Sequence, residues 1–347
     1  LRALVLGVSM AWAIFAGQTP VAPIDSGHGA TGPYAVAVDT IRTSHARREP
    51  TLIYRPEGVG TRLPLVFFLH GLRTNKRGVY DHICQHLAGR GLCVAFPHYR
   101  LRSFPGPRRT YRKLFSRMAE IVEVLGERID TTRMGFVGHS FGGAAIPAFS
   151  LRAISQLGWG RESAFLFIMA PHFVFGITED ELRHFPSHVK MIVEVYEDDD
   201  CNDHRMAKHL FETIAIGKDE KVFVTVLSDT SEPLGYAQVA DHAVPYGPGD
   251  ALGEIDGLDY YAIYRPLDAV AEYALNGDAQ ARAVALGESD TGPRFMGYWR
   301  DGRRVKEALV SDHPEMLKPM SQYFFSWKHP WNPHNPERRR RRFLFKW

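Results

Sequence analysis

Cysteine is scarce. Cys84, Cys93 and Cys201 are the only three in 347 residues. An odd count of three leaves at least one thiol unpaired and supports no disulfide framework. A Cys84–Cys93 bridge stays open on sequence grounds. No Cys/His pair has the spacing of a structural zinc site, so neither a metal nor a cofactor is expected. Long apolar runs are also missing. The longest, Ala3 to Gly17 after Arg2, is shorter than the roughly 20 residues of a membrane span. Charge of one sign is lacking too: the formal net charge is +3. Residues 337–347 carry five arginines, one lysine and one glutamate, a net +5. The rest is therefore near −2 and offers no general polyanion surface. Nucleic acid is not an expected partner.

The composition that remains, 45% hydrophobic and 23% charged, is that of a globular chain with a full core. The 1–17 segment has the form of a signal peptide, with one positive charge, an apolar stretch and small residues. Export, to a periplasmic or secreted location, or membrane association through the N-terminus, is the expectation. Residues 18–277 read as the main domain. Residues 278–347 form an aromatic extension, with Trp299, Trp327 and Trp331, that wraps around the main domain before the Arg-rich tail. Arg338 to Arg342 beside Phe343, Phe345 and Trp347 offer a weak contact with anionic membrane surfaces.

From about residue 50 to 275, strand and helix patterns alternate. Leu65 to Leu69 and Leu92 to Phe96 are continuous apolar runs suited to strands covered on both faces. Leu114, Met118, Ile121, Val122 and Leu125 line one face of a helix. Ala164–Met169, Val189–Tyr196 and Lys221–Leu227 read as further strands, and Asp259–Leu275 as a closing helix. This alternation implies an α/β fold: a mostly parallel central sheet with helices on both faces. Antiparallel strands at Tyr34–Thr43 and Thr51–Tyr54 begin it.

The most informative segment is Met134 to Gly143. Its apolar strand pattern runs into Gly138-His139-Ser140-Phe141-Gly142, and a small-residue helix pattern follows. On such a strand–turn–helix a serine hydroxyl projects from the end of the sheet, with the helix N-terminus aimed at the same spot. Ser140 is the candidate nucleophile. It requires a base, and His242 occupies a loop between the last strand and the closing helix. The acid is expected after the strand ending near Tyr196, where Glu197-Asp198-Asp199-Asp200 and Asp203 occur. Turn position favours Asp199, then Asp200, then Asp203. The backbone N–H groups of Leu72, after His70-Gly71, and of Phe141 are the candidate oxyanion donors. His70 itself is read as structural.

Together these stretches resemble the α/β-hydrolase superfamily, closest to its dienelactone hydrolase, cutinase-like polyester hydrolase and platelet-activating-factor acetylhydrolase branch. Leu69-His70-Gly71, Leu87 to Gly91, and Ile129 to Gly143 carry the likeness. It spans residues 50–275. The resemblance implies the order nucleophile, acid, base and supports Asp199 and His242. The loop Ser228–Gly257 is longer than usual for this branch, and residues 278–347 have no counterpart in it.

The function expected is serine carboxylic-ester hydrolysis of a small-molecule ester through an acyl-enzyme. Acyl transfer and peptide cleavage share the triad, and a non-catalytic binding protein would keep only the fold. The short connection from Pro171 to Ser187 leaves little room for a lid. It implies an open cleft lined by Leu72, Phe141, His172 and Phe173, with His172 and Phe173 as substrate-binding residues.

Overall fold

The computed structural model describes residues 19–44, 50–60, 62–74, 76, 78–100, 107–287 and 291–337. The N-terminal apolar segment, residues 1–17, and the arginine cluster, Arg338 to Arg342, lie outside the described residues. The elements run β1 (Val36–Ile41), β2 (Thr51–Pro56), β3 (Leu63–Leu69), α1 (Asp81–Gly89), β4 (Cys93–Pro97) and α2 (Arg108–Leu125). There follow β5 (Ile129–His139), α3 (Phe141–Leu157), β6 (Ser163–Met169), the short α4 (Glu179–Arg183), β7 (Lys190–Tyr196) and α5 (Arg205–Thr213). The remainder is β8 (Lys221–Val226), β9 (Asp229–Ser231), β10 (Tyr236–Gln238), α6 (Arg265–Asn276), α7 (Ala279–Leu286) and β11 (Leu309–Val310).

Among the described residues one sheet has nine strands, ordered β1-β2-β4-β3-β5-β6-β7-β8-β11. Neighbours from β4 across to β8 are parallel, whereas β1, β2 and β11 join antiparallel at the two edges. The fold is α/β, with a mostly parallel central sheet flanked by helices.

Strand periodicity decides how the core divides. Leu65, Phe67 and Leu69 face the side covered by α2, α3 and α5, while Val66 and Phe68 face α1, α6 and α7. In β6, Leu166 and Ile168 take the first side and Phe165 and Phe167 the second. Both faces are therefore apolar, so these strands read as unbroken hydrophobic runs rather than alternating ones. Each large buried side chain contributes about 1.5–3 kcal/mol relative to exposure. The predicted closing helix opens with a π-helical stretch, Asp259–Tyr264, and ends at Gly277 in the left-handed region (φ 74°).

The segment after residue 278 takes part in both cores. Met296, Trp299, Val305 and Ala308 join the core under α6, and Phe325 and Trp327 pack on the opposite one. The helix α7 was not read from the sequence, which broke the alternation at residue 278. Cys84, Cys93 and Cys201 are all free, so the possible Cys84–Cys93 bridge is not made. Among the described residues no helix is long and apolar enough to cross a membrane.

Candidate active site

The parallel strands deliver their carboxyl ends to one edge of the sheet, where groups from separate segments meet. At the end of β5 the chain turns directly into α3, and Ser140 holds φ 54°, ψ −118°. The turn is possible because two glycines sit beside it. A Cβ on Gly142 would lie 1.9 Å from Leu69 O, and one on Gly138 2.7 Å from Gly142 C. Among the described residues, the non-glycine residues with positive φ are Arg73, Ser140 and Ala170. They follow β3, β5 and β6, so the strained backbone gathers at this edge. Such conformations cost on the order of 1–3 kcal/mol each and cluster at functional sites.

Ser140 Oγ lies 3.0 Å from His242 Nε2, and His242 Nδ1 lies 2.7 Å from Asp199 Oδ2. With Nδ1–H donating to the carboxylate, Nε2 of the neutral ring accepts the serine proton. The second Asp199 oxygen accepts the backbone N–H groups of Cys201 (2.7 Å) and Asn202 (3.2 Å). Burial pushes the Asp199 carboxyl up, but facing His242 and these donors outweigh it and hold it below its ordinary value. For His242, burial pulls the imidazole down, and the stronger pull of Asp199, by charge and hydrogen bond, leaves it raised.

The other acids of the turn are engaged elsewhere. Asp198 accepts from Ser228 Oγ, Glu197 takes Ser228 N and Lys306, and Asp200 is exposed. Asp203 is buried, and accepts from the Arg205 guanidinium and from Trp327 N. The loop that carries His242 is long because it holds the β9–β10 hairpin. Its tip is tied back by Gly247 N donating to Val79 O at 2.7 Å.

His70 is a buttress: its Nε2 accepts Tyr99 N, its Nδ1 faces Gly71 O, and its carbonyl accepts Tyr99 Oη. Tyr80 Oη accepts Gly71 N at 3.2 Å and lies 2.8 Å from His139 Nδ1. One phenol thus joins the loop after β3 to the turn that carries Ser140. Leu72 is partly buried on that loop, and Phe141 is the first residue of α3.

One expectation needs correction. Phe141, His172 and Phe173 do not line an open cleft, because each is at most 2% exposed. Phe141 lies against Tyr99 and Tyr111, and His172 and Phe173 are covered by the C-terminal extension. Phe324 N and Phe325 N donate to Asp200 O and Cys201 O, which lays the chain along the acid turn. The Phe325 ring then packs 4.4 Å from His172 and 5.8 Å from Phe173, centroid to centroid. Burial pushes His172 down to about 3, so its ring is neutral, while its backbone N–H donates to Ser140 O.

Three features escaped the sequence reading. Asn202 Nδ2 donates to Ser140 Oγ (3.3 Å) and to Ala170 O (2.9 Å). Its position after an acidic run carried no signal beyond a helix cap. Glu194 is fully buried on β7, and burial, only partly opposed by the Tyr196 hydroxyl, raises its pKa well above the ordinary value. Last, ligand-type atoms of Glu179, His209 and His334 lie within 4.8 Å of one another. They come from three distant segments, so no local spacing reveals them.

A search of protein-family models finds no match to this chain, and a search of curated proteins finds none either.

Proposed function

We propose that the protein is a serine hydrolase of carboxylic esters with an α/β-hydrolase fold, working through Ser140, His242 and Asp199. The observation that carries the reading is the continuous chain from Asp199 Oδ2 through His242 to Ser140 Oγ, at 2.7 and 3.0 Å. The strained turn at the tip of β5 adds support, because it presents the hydroxyl at a helix N-terminus.

In the first step Ser140 Oγ attacks the ester carbonyl carbon as its proton passes to His242 Nε2. Asp199, ionised and buried, stabilises the imidazolium and fixes its tautomer. The carbonyl oxygen gains the negative charge, and the N–H groups of Phe141 and Leu72 are the donors assigned to it. Phe141 N–H stands at the start of a 17-residue helix, whose dipole favours an anion there. As the C–O bond breaks, His242 returns the proton to the leaving alkoxide, which departs as the alcohol. Water then loses a proton to His242, attacks the acyl carbon and releases the acid, restoring Ser140.

A small or flexible acyl group suits the site, since aromatic side chains close the space beside His172. Aryl esters of graded acyl length, an anilide and an emulsified triglyceride test the assignment in one assay series. Fast turnover of short aryl esters is expected. Cleavage confined to the anilide, or to the emulsion, contradicts it.

A further inference from the structure

The C-terminal extension is fixed at one end by its backbone bonds to the acid turn. At its other end it brings His334 against α4 and α5. There His209 Nε2 faces Glu179 Oε1 at 3.5 Å, and the His209 and His334 ring centroids are 5.2 Å apart. The ligand-type atoms of all three residues lie within 4.8 Å of one another.

The 3.5 Å between His209 Nε2 and Glu179 Oε1 is long for a direct hydrogen bond and suits two ligands of one ion. His209 Nε2 is buried and has no hydrogen-bond partner, although a carboxylate stands opposite. Donors held at 2.0–2.2 Å by a tetrahedral zinc stand about 3.3–3.5 Å apart, close to the His209–Glu179 spacing. His334 Nε2 lies 3.0 Å from Val174 O. Donation there fixes the tautomer and leaves Nδ1 with its lone pair free, as metal-bound histidines are commonly oriented by a backbone carbonyl. The Glu179 carboxylate is oriented in turn, since its Oε2 accepts Arg183 Nη2 at 2.6 Å.

We infer that Glu179, His209 and His334 bind a divalent cation of the zinc type, which clamps the C-terminal extension to α4 and α5. Two imidazoles and one carboxylate match zinc and its transition-metal neighbours, whereas calcium and magnesium take oxygen donors. Three protein ligands leave a fourth position for water on the half-exposed Glu179 side. The neighbouring Arg183 cation opposes the ion's charge, so affinity falls short of a four-ligand structural site. The ion's role is structural. It pins the strand of chain that also seats Phe325 over His172 and Trp327 against His209.

The test uses the full chain stripped of metal by a chelator. Zinc chloride is titrated by calorimetry, and cobalt(II) is added separately for its visible spectrum. One equivalent of zinc binding at low-micromolar concentration is expected, with intense cobalt bands of a four-coordinate site. The thermal midpoint should rise with zinc, and proteolytic nicking between residues 313 and 337 should slow. His334→Gln and His209→Gln should each lose the equivalent, the spectrum and the thermal shift, with circular dichroism confirming that they fold. The wild-type titration decides on its own if a variant fails to fold. No zinc binding by the wild-type chain, or an unchanged equivalent in both folded variants, overturns the inference. These readouts are independent of ester turnover, so they do not depend on the role of Ser140.

Discussion

The carboxamide nitrogen of Asn202 lies 3.3 Å from Ser140 Oγ and 2.9 Å from Ala170 O. On the proposed mechanism this donation to the serine oxygen leaves the hydroxyl hydrogen for the imidazole, 3.0 Å away. On that mechanism Asn202 is a positioning residue. Asn202→Ala should lower kcat roughly five- to tenfold, the equivalent of one net hydrogen bond of about 1 kcal/mol. The acid limb of the pH profile should stay where it is, because the Asp199–His242 pair is untouched. An unchanged kcat in a folded variant refutes the role.

Asp199 is the acid that touches His242, and its neighbours point elsewhere. Asp199→Asn should reduce kcat about a thousand- to ten-thousand-fold, because the imidazole loses its tautomer and its counter-charge. Asp198→Asn and Asp200→Asn should stay within a few-fold of the wild type. Kinetics on a soluble ester separate these outcomes, and a crippled Asp200→Asn with an active Asp199→Asn reverses the assignment.

The pH dependence has a definite sign. His242 must be neutral to take the serine proton, and Asp199 raises its pKa. Activity should therefore fall as pH drops through a midpoint above the ordinary imidazole value of about 6.5. In whatever activity Asp199→Asn retains, that midpoint should move down. A wild-type limb centred well below 6.5 contradicts the pairing.

Glu194 should couple stability to pH in the opposite direction from a paired carboxylate. Its folded pKa is raised by burial, so the folded state keeps a proton that the unfolded chain releases above its ordinary value. The stability linked to that proton is complete at low pH and is lost as pH rises beyond the unfolded pKa. Glu194→Gln, neutral at every pH, should raise the thermal midpoint more at pH 8 than at pH 5. An equal effect at both would show that the carboxyl is neutral or charged alike in the two states.

The Phe325 ring packs on His172 and Phe173, and the His172 backbone N–H donates to Ser140 O. Phe325→Ala should extend the accepted acyl length, raising kcat/KM for longer esters relative to acetate. It should also lower stability by about 1–2 kcal/mol, since the ring is only partly buried. An unaltered chain-length profile would mean that the acyl group binds elsewhere.

Much of this was legible in the sequence for a physical reason. Strands covered on both faces must be apolar throughout, so Leu65 to Leu69 and Ala164 to Met169 declare themselves without tertiary knowledge. Ser140 is legible because its turn requires glycines at 138 and 142, where backbone leaves no room for a side chain. Asp199 and His242 sit where a turn and a loop follow their strands, and the structure brings both to Ser140. What the sequence hides is contact between distant segments. Phe325 closing on His172, Asn202 reaching Ser140 and His334 meeting His209 leave no periodic trace, because none belongs to a repeating element. The short α7 was hidden for a related reason: its alanines bury too little side chain to mark a face.

The central claim is that Ser140 is a nucleophile activated by His242. The most direct measurement is intact-protein mass spectrometry after exposure to a fluorophosphonate, with peptide mapping of the adduct. The account predicts a single adduct on Ser140 in the wild type, none in Ser140→Ala, and much slower labelling in His242→Ala, all three proteins being folded. No adduct on the folded wild type, or an adduct that persists in Ser140→Ala, would contradict it.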